Sequence, residues 1–181
     1  MGQKGITLIE LIVVMAIAGV IGWLVVSSFI NLNDTLFDQE KTVDLQSAGR
    51  ETIDKMVRVL REAGLNPSEN DDINGVEEAT ASKLRVVLDR NLNGEIDEGA
   101  EERVTFKFEN GSLWRCFDEG SAAEHCAEMN DTVEELTFSY DSPDPAAVQA
   151  IGIKLSLRDD KAKQRGDIKR EFTTTVRGRN L

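Results

Sequence analysis

About 23 consecutive residues, from Leu11 to Asn33, carry no charged side chain, and nothing else in this sequence restricts its fold as tightly. At a helical rise of about 1.5 Å per residue the run measures roughly 34 Å, enough to cross a bilayer core of about 30 Å. Glu10 stands inside the apolar stretch, where a carboxylate costs at least about 2.5 kcal/mol unless a partner meets it. The leader ahead of the run, residues 1–5, has Lys4 as its one charged side chain and ends in Gly5. A cleavable secretory signal has an apolar region of about 7–15 residues followed by a small-residue cleavage site. Here the run is longer, and Val26-Ser27-Ser28-Phe29-Ile30 offers no such site. The polar, cleavable-looking junction precedes the apolar run.

Composition narrows the classes. A length of 181 residues allows one domain beside a membrane segment. The net charge of −12 argues against a nucleic-acid or anionic-lipid surface. Lys4 before the run and acidic chain after it fit a cytoplasmic N-terminus with the bulk outside. Two cysteines in a translocated domain favour a disulfide.

The helix is expected to continue past the polar patch Asn31–Asp34. Leu45, Gly49, Ile53, Met56, Leu60 and Ala63 recur at three or four residues, with charges on the other faces. Gly64, followed by Pro67, predicts an end near Ala63. Residues 66–80 read as an acidic, turn-rich loop. Beyond them the period becomes two: Leu84, Val86, Leu88; Val104, Phe106, Phe108; Leu136, Phe138, Tyr140; Ile151, Ile153, Leu155, Leu157; Phe172, Thr174, Val176. Asn110-Gly111 predicts a hairpin joining Arg103–Phe108 to Leu113–Phe117. Five or six strands after one helix predict an α+β fold, a long helix packed on an antiparallel sheet. The expected segments are a leader at 1–5, an apolar helix at 6–33, its amphipathic continuation at 34–64 and a sheet domain at 65–181. Gly19 and Gly22, with Ala16 and Ala18, suit either close helix contact or local bending.

The run Gly5-Ile6-Thr7-Leu8-Ile9-Glu10-Leu11-Ile12-Val13-Val14 resembles the start of type IV prepilins, including the pseudopilins of type II secretion. Ile6 departs from the usual Phe. The resemblance implies cleavage between Gly5 and Ile6 by a prepilin peptidase on the cytoplasmic face, then N-methylation of Ile6. Glu10 then acquires a reason: in a packed bundle its carboxylate would meet the new amine of a neighbouring subunit, replacing two unpaired charges by one ion pair. Three later segments are similar to PilW-like minor pilins, close in plan to J-type minor pseudopilins: Arg61-Glu62-Ala63-Gly64-Leu65-Asn66-Pro67, Asp89-Arg90-Asn91-Leu92-Asn93-Gly94, and the ending Thr173 to Leu181. The implied protein is a non-enzymatic minor pilin of the inner membrane. Its sheet domain would lie in the periplasm, and it would help to start pilus assembly at the tip beside other pilins.

Asp89, Asn91, Asn93, Glu95 and Asp97, with Gly94 between, place oxygen ligands at alternate positions as a calcium loop does. Position twelve is Ala100, so Glu98 or Glu101 would have to supply the missing carboxylate. The expectations are a structural calcium site or an acidic turn between strands; no cofactor is required. Cys116 and Cys126, ten apart, predict a disulfide, preferred to a metal site with His125, which lacks a fourth ligand. His125 reads as a surface loop residue. The basic run Lys161, Lys163, Arg165, Lys169 and Arg170 reads as a solvated hairpin loop, with contact to an acidic subunit as the rival reading. No nucleophile–base pair, zinc-protease motif or phosphate loop appears.

The rival functions are a type II secretion pseudopilin, a DNA-uptake pilin and a membrane-anchored enzyme or receptor. The acidic balance opposes the DNA reading. An anchored enzyme would tolerate the loss of Glu10, whereas a pilin would not.

Overall fold

The computed structural model describes residues 7–64, 75–159 and 166–178. Thr7 is the N-cap of a single helix, α1 (Leu8–Glu62), with Glu10 at the third helical position completing a capping box. Nothing breaks the helix over 55 residues. It ends where expected: Ala63 is the C-cap, Gly64 takes φ 72°, and the Gly64 N–H donates to the Val87 carbonyl at 2.9 Å. The first half of α1 is long and apolar enough to cross a membrane, and none of that apolar window is buried inside the protein.

The second half buries one stripe: Leu45, Gly49, Thr52, Met56, Val59 and Leu60. Thr52 and Val59 join this line, whereas Ile53 is only partly buried at its border. Gly49 lets the helix come close. A Cβ there would lie 2.1 Å from the Phe172 ring.

The strands form two antiparallel sheets. Five make the first, in chain order: β1 (Val76–Ala79), β2 (Lys83–Val87), β3 (Arg103–Glu109), β4 (Ser112–Phe117) and β5 (His125–Asn130). The second holds β6 (Val133–Tyr140), β7 (Ala150–Asp159) and β8 (Ile168–Arg177), also in chain order. Asn110 and Gly111, at φ 54° and 80°, make the expected two-residue hairpin between β3 and β4. The α+β plan thus holds, with two sheets in place of one. The strand after Asn130 does not pair back onto β5 and starts a new sheet. The Phe138 N–H to Ala81 carbonyl bond, 2.8 Å, and the Tyr140 hydroxyl to Thr80 carbonyl bond, 2.7 Å, tie the two sheets together.

α1 packs chiefly on β7 and β8, and also touches β5. The core joins Met56 and Leu60 of α1 to Leu84, Val86, Phe106 and Leu113 of the first sheet and Ile151, Ile153 and Leu155 of the second. Two strands correct the sequence reading. β1 falls in the stretch read as loop, and β5 begins at His125, read as a surface loop residue. Val-Glu-Glu-Ala is short and bulged, and His125-Cys126-Ala127-Glu128 is exposed throughout, so neither shows an apolar alternation. Both are edge strands, held by one neighbour each.

Candidate functional site

At the N-terminal end, Glu10 Oε2 accepts from the Thr7 N–H at 2.9 Å and the Thr7 hydroxyl at 2.8 Å, while Thr7 Oγ1 accepts from the Glu10 N–H at 3.4 Å. Both bonds to the carboxylate fall on one oxygen. Oε1 has no partner among the described residues, and Glu10 stands at an exposed helix end. Gly5 and Ile6 lie outside the described residues. Gly19 and Gly22 have open space where a Cβ would stand, so the small-residue face is unobstructed.

Cys116 and Cys126 form a disulfide between directly paired residues of β4 and β5, with Cα atoms 4.0 Å apart. Glu124 lies beside them, and these three are the one group of acid, His or Cys ligand atoms within 4.8 Å of one another among the described residues. With both sulfurs in a disulfide no thiolate is left for a metal. His125 opens β5, stacked on Phe117 with ring centroids 4.8 Å apart, and its Nε2 lies 3.6 Å from Glu101.

The loop from Asp89 to Glu102 is built on two buried carboxylates. Asp89 accepts the N–H groups of Asn93 (3.1 Å) and Gly94 (2.7 Å). Glu102, which the sequence did not single out, accepts those of Arg90 (3.0 Å), Asn91 (3.2 Å) and Asp97 (2.8 Å). The amide oxygens of Asn91 and Asn93 take the N–H groups of Asn93 and Glu95, while both Nδ2 atoms donate to Asp97 Oδ2, at 2.8 and 2.7 Å. Glu95 is exposed, and Glu101 turns to Arg90 and His125. Loop and sheet are joined again at Asp118, whose Oδ2 accepts from the Gly99 N–H at 3.0 Å.

Glu119 anchors a second cluster invisible in the sequence. Arg85 (2.7 Å), Lys83 (3.0 Å) and Lys107 (3.5 Å) surround its carboxylate. Burial would raise its pKa, but the bonds from Arg85, Lys83 and Thr105, with the Lys83 charge, hold it at about 2. The Tyr140 hydroxyl is pushed above its ordinary value, by burial first and then by the Glu78 charge. Lys169 and Arg170 of the basic run sit in β8, where Lys169 pairs with Glu134; Lys161, Lys163 and Arg165 lie outside the described residues.

These parts are structural. A long apolar-then-amphipathic helix on antiparallel sheets, opening on a short leader and Thr-Leu-Ile-Glu, defines a type IV pilin-like protein. A family profile described as Prokaryotic N-terminal methylation motif matches residues 1–26, and one described as Prepilin peptidase-dependent protein B matches residues 38–178. The chain belongs to the prepilin peptidase-dependent protein B family, and pilin-like families are structural rather than enzymatic. No curated protein and no solved structure matches it.

Proposed function

We propose that this chain is a PilW-like minor pilin, a structural subunit that helps to start assembly of a type IV pilus. The reading rests above all on one combination: a methylation motif over residues 1–26 leading into an apolar helix that its own domain leaves bare. Prepilin peptidase cuts after Gly5 on the cytoplasmic face, and Ile6 becomes the methylated N-terminus. The apolar half of α1 holds the subunit in the inner membrane, with the sheet domain in the periplasm. The subunit then enters the filament, at its tip, by helix–helix packing with other pilins. Glu10 Oε1 takes the amine of a neighbouring chain while Oε2 keeps its own Thr7.

The sheet domain needs no ion for this role, because the hydrogen bonds of Asp89, Asn91, Asn93, Asp97 and Glu102 already close the loop. Calcium enters the proposal as an added structural ligand. Asp89, Asn91, Asn93, Glu95 and Asp97 would hold it, with Asn91 and Asn93 turning amide oxygens to where Nδ2 now meets Asp97.

The test is incorporation. In a host that assembles the pilus, wild-type chain is expected in sheared filaments, and Glu10→Ala is expected to be processed but left in the inner membrane. Equal incorporation of the variant overturns the role of Glu10. Presence in sheared pili, set against loss of protein secretion on deletion, separates the pilus from a type II secretion pseudopilus.

A further inference from the structure

An open groove of about 690 Å³ runs between the middle of α1 and the first sheet. Arg50 and Arg58 line it from the helix and Arg115 from β4, with Asp54 and the pair Glu51–Lys55 as the other charged groups on the helix side. Glu51 and Lys55 neutralise each other at 2.7 Å. That leaves three guanidinium groups against one carboxylate, in a chain whose net charge is −12.

Arg115 is the unusual member. Strand alternation puts it on the same face of β4 as Leu113 and Phe117, both of which belong to the core. Its guanidinium carbon lies 4.9 Å from the Phe117 ring centroid, and its Nε is buried with no hydrogen-bond partner. A buried donor left unmade costs about 1–3 kcal/mol, and no carboxylate among the described residues meets the Arg115 guanidinium. Arg50 and Arg58 make no ion pair among the described residues, and like charges gathered on one groove repel until an anion joins them.

We propose that this groove docks an acidic, extended segment of a neighbouring pilin-type subunit, whose carboxylates pair with Arg50, Arg58 and Arg115. The inference rests on the subunit role proposed above and adds to it where the next subunit's sheet domain is held. The position excludes lipid. Arg50 and Arg58 stand 17 and 25 residues beyond Asn33, roughly 26 and 38 Å along the helix and several screening lengths from any headgroup layer. The groove is also too large for a single small anion, whereas arginine forks match peptide carboxylates bidentately.

The test uses full-length protein in detergent micelles and a fluorescein-labelled hexaglutamate peptide followed by anisotropy, with hexaglutamine as the neutral probe. The expected result is hexaglutamate binding that weakens with salt and falls at least tenfold in Arg50→Gln/Arg115→Gln, while Lys169→Gln, outside the groove, binds as wild type. Should Arg115→Gln fail to fold, Arg50→Gln/Arg58→Gln alters exposed positions only and is expected to show the same loss. Binding that is unchanged in these variants overturns the proposal. So does complete displacement of the peptide by millimolar inorganic phosphate, which would make the groove a small-anion site. Processing after Gly5 is read in the same preparations. Variants that are cut normally yet bind as wild type refute the groove alone, whereas an uncut wild-type chain refutes the pilin role.

Discussion

Replacing Gly49 by alanine tests how closely the helix meets the second sheet. In an exposed helix interior the change would stabilise by about 1 kcal/mol, because glycine gives up more backbone freedom. Here the new Cβ would sit 2.1, 2.3 and 2.8 Å from three atoms of the Phe172 ring. Restoring the nearest contact to an ordinary 3.4 Å requires a shift of about 1.3 Å. Phe172 belongs to β8 and packs at the edge of the core, so the ring can move outward only by leaving that packing. Overpacking of this kind costs about 1–3 kcal/mol. The balance is a net loss of about 1 kcal/mol, or roughly 3–6 °C in Tm for a domain of this size. Thermal unfolding by circular dichroism in detergent reads it directly. In a Phe172→Ala background the clashing ring atoms are gone, and Gly49→Ala is expected to be neutral or stabilising by up to about 1 kcal/mol. A higher Tm for Gly49→Ala alone would refute the close approach.

Three further outcomes follow from the sheet domain. Reduction of Cys116–Cys126, or its replacement by two alanines, is expected to cost about 2–3 kcal/mol, read as a lower Tm in dithiothreitol that the alanine pair no longer shows. Glu102→Ala strands three backbone N–H groups in a buried site, and a loss of about 2–4 kcal/mol is expected in urea unfolding, against little change for the exposed Glu95→Ala. Glu119 is held at about 2, below an ordinary 4.5, so it adds stability that is present above pH 4.5 and is lost as the pH falls towards 2. That contribution is of order 2–3 kcal/mol, and Glu119→Gln is expected to unfold more easily at pH 7 while converging with wild type near pH 2.

The sequence made the helix legible because each of its signals was local. The uncharged run, the Leu45-to-Ala63 spacing and Gly64 each act within a few residues, and even Gly49 appeared on the apolar stripe. The strands with two neighbours or a regular apolar alternation were legible for the same reason. β1 and β5 were not, because an exposed edge strand owes its form to the neighbour it pairs with. The partition into two sheets depends on where pairing stops, at Asn130–Val133, and no residue pattern marks that point. The disulfide was legible from two cysteines ten residues apart. Glu102 and Glu119 were hidden among 33 acidic residues, since only the fold brings backbone N–H groups to one and Lys83, Arg85 and Lys107 to the other. Arg115 carried a signal that could have been used: a charge standing between Leu113 and Phe117 on an inward-facing register.

The most direct test of the pilin account is the intact mass and N-terminal peptide of the chain co-expressed with a prepilin peptidase. The account predicts a protein that begins at methylated Ile6 and is shorter by the five-residue leader. A chain that still begins at Met1, or one cut after the apolar run, would contradict it.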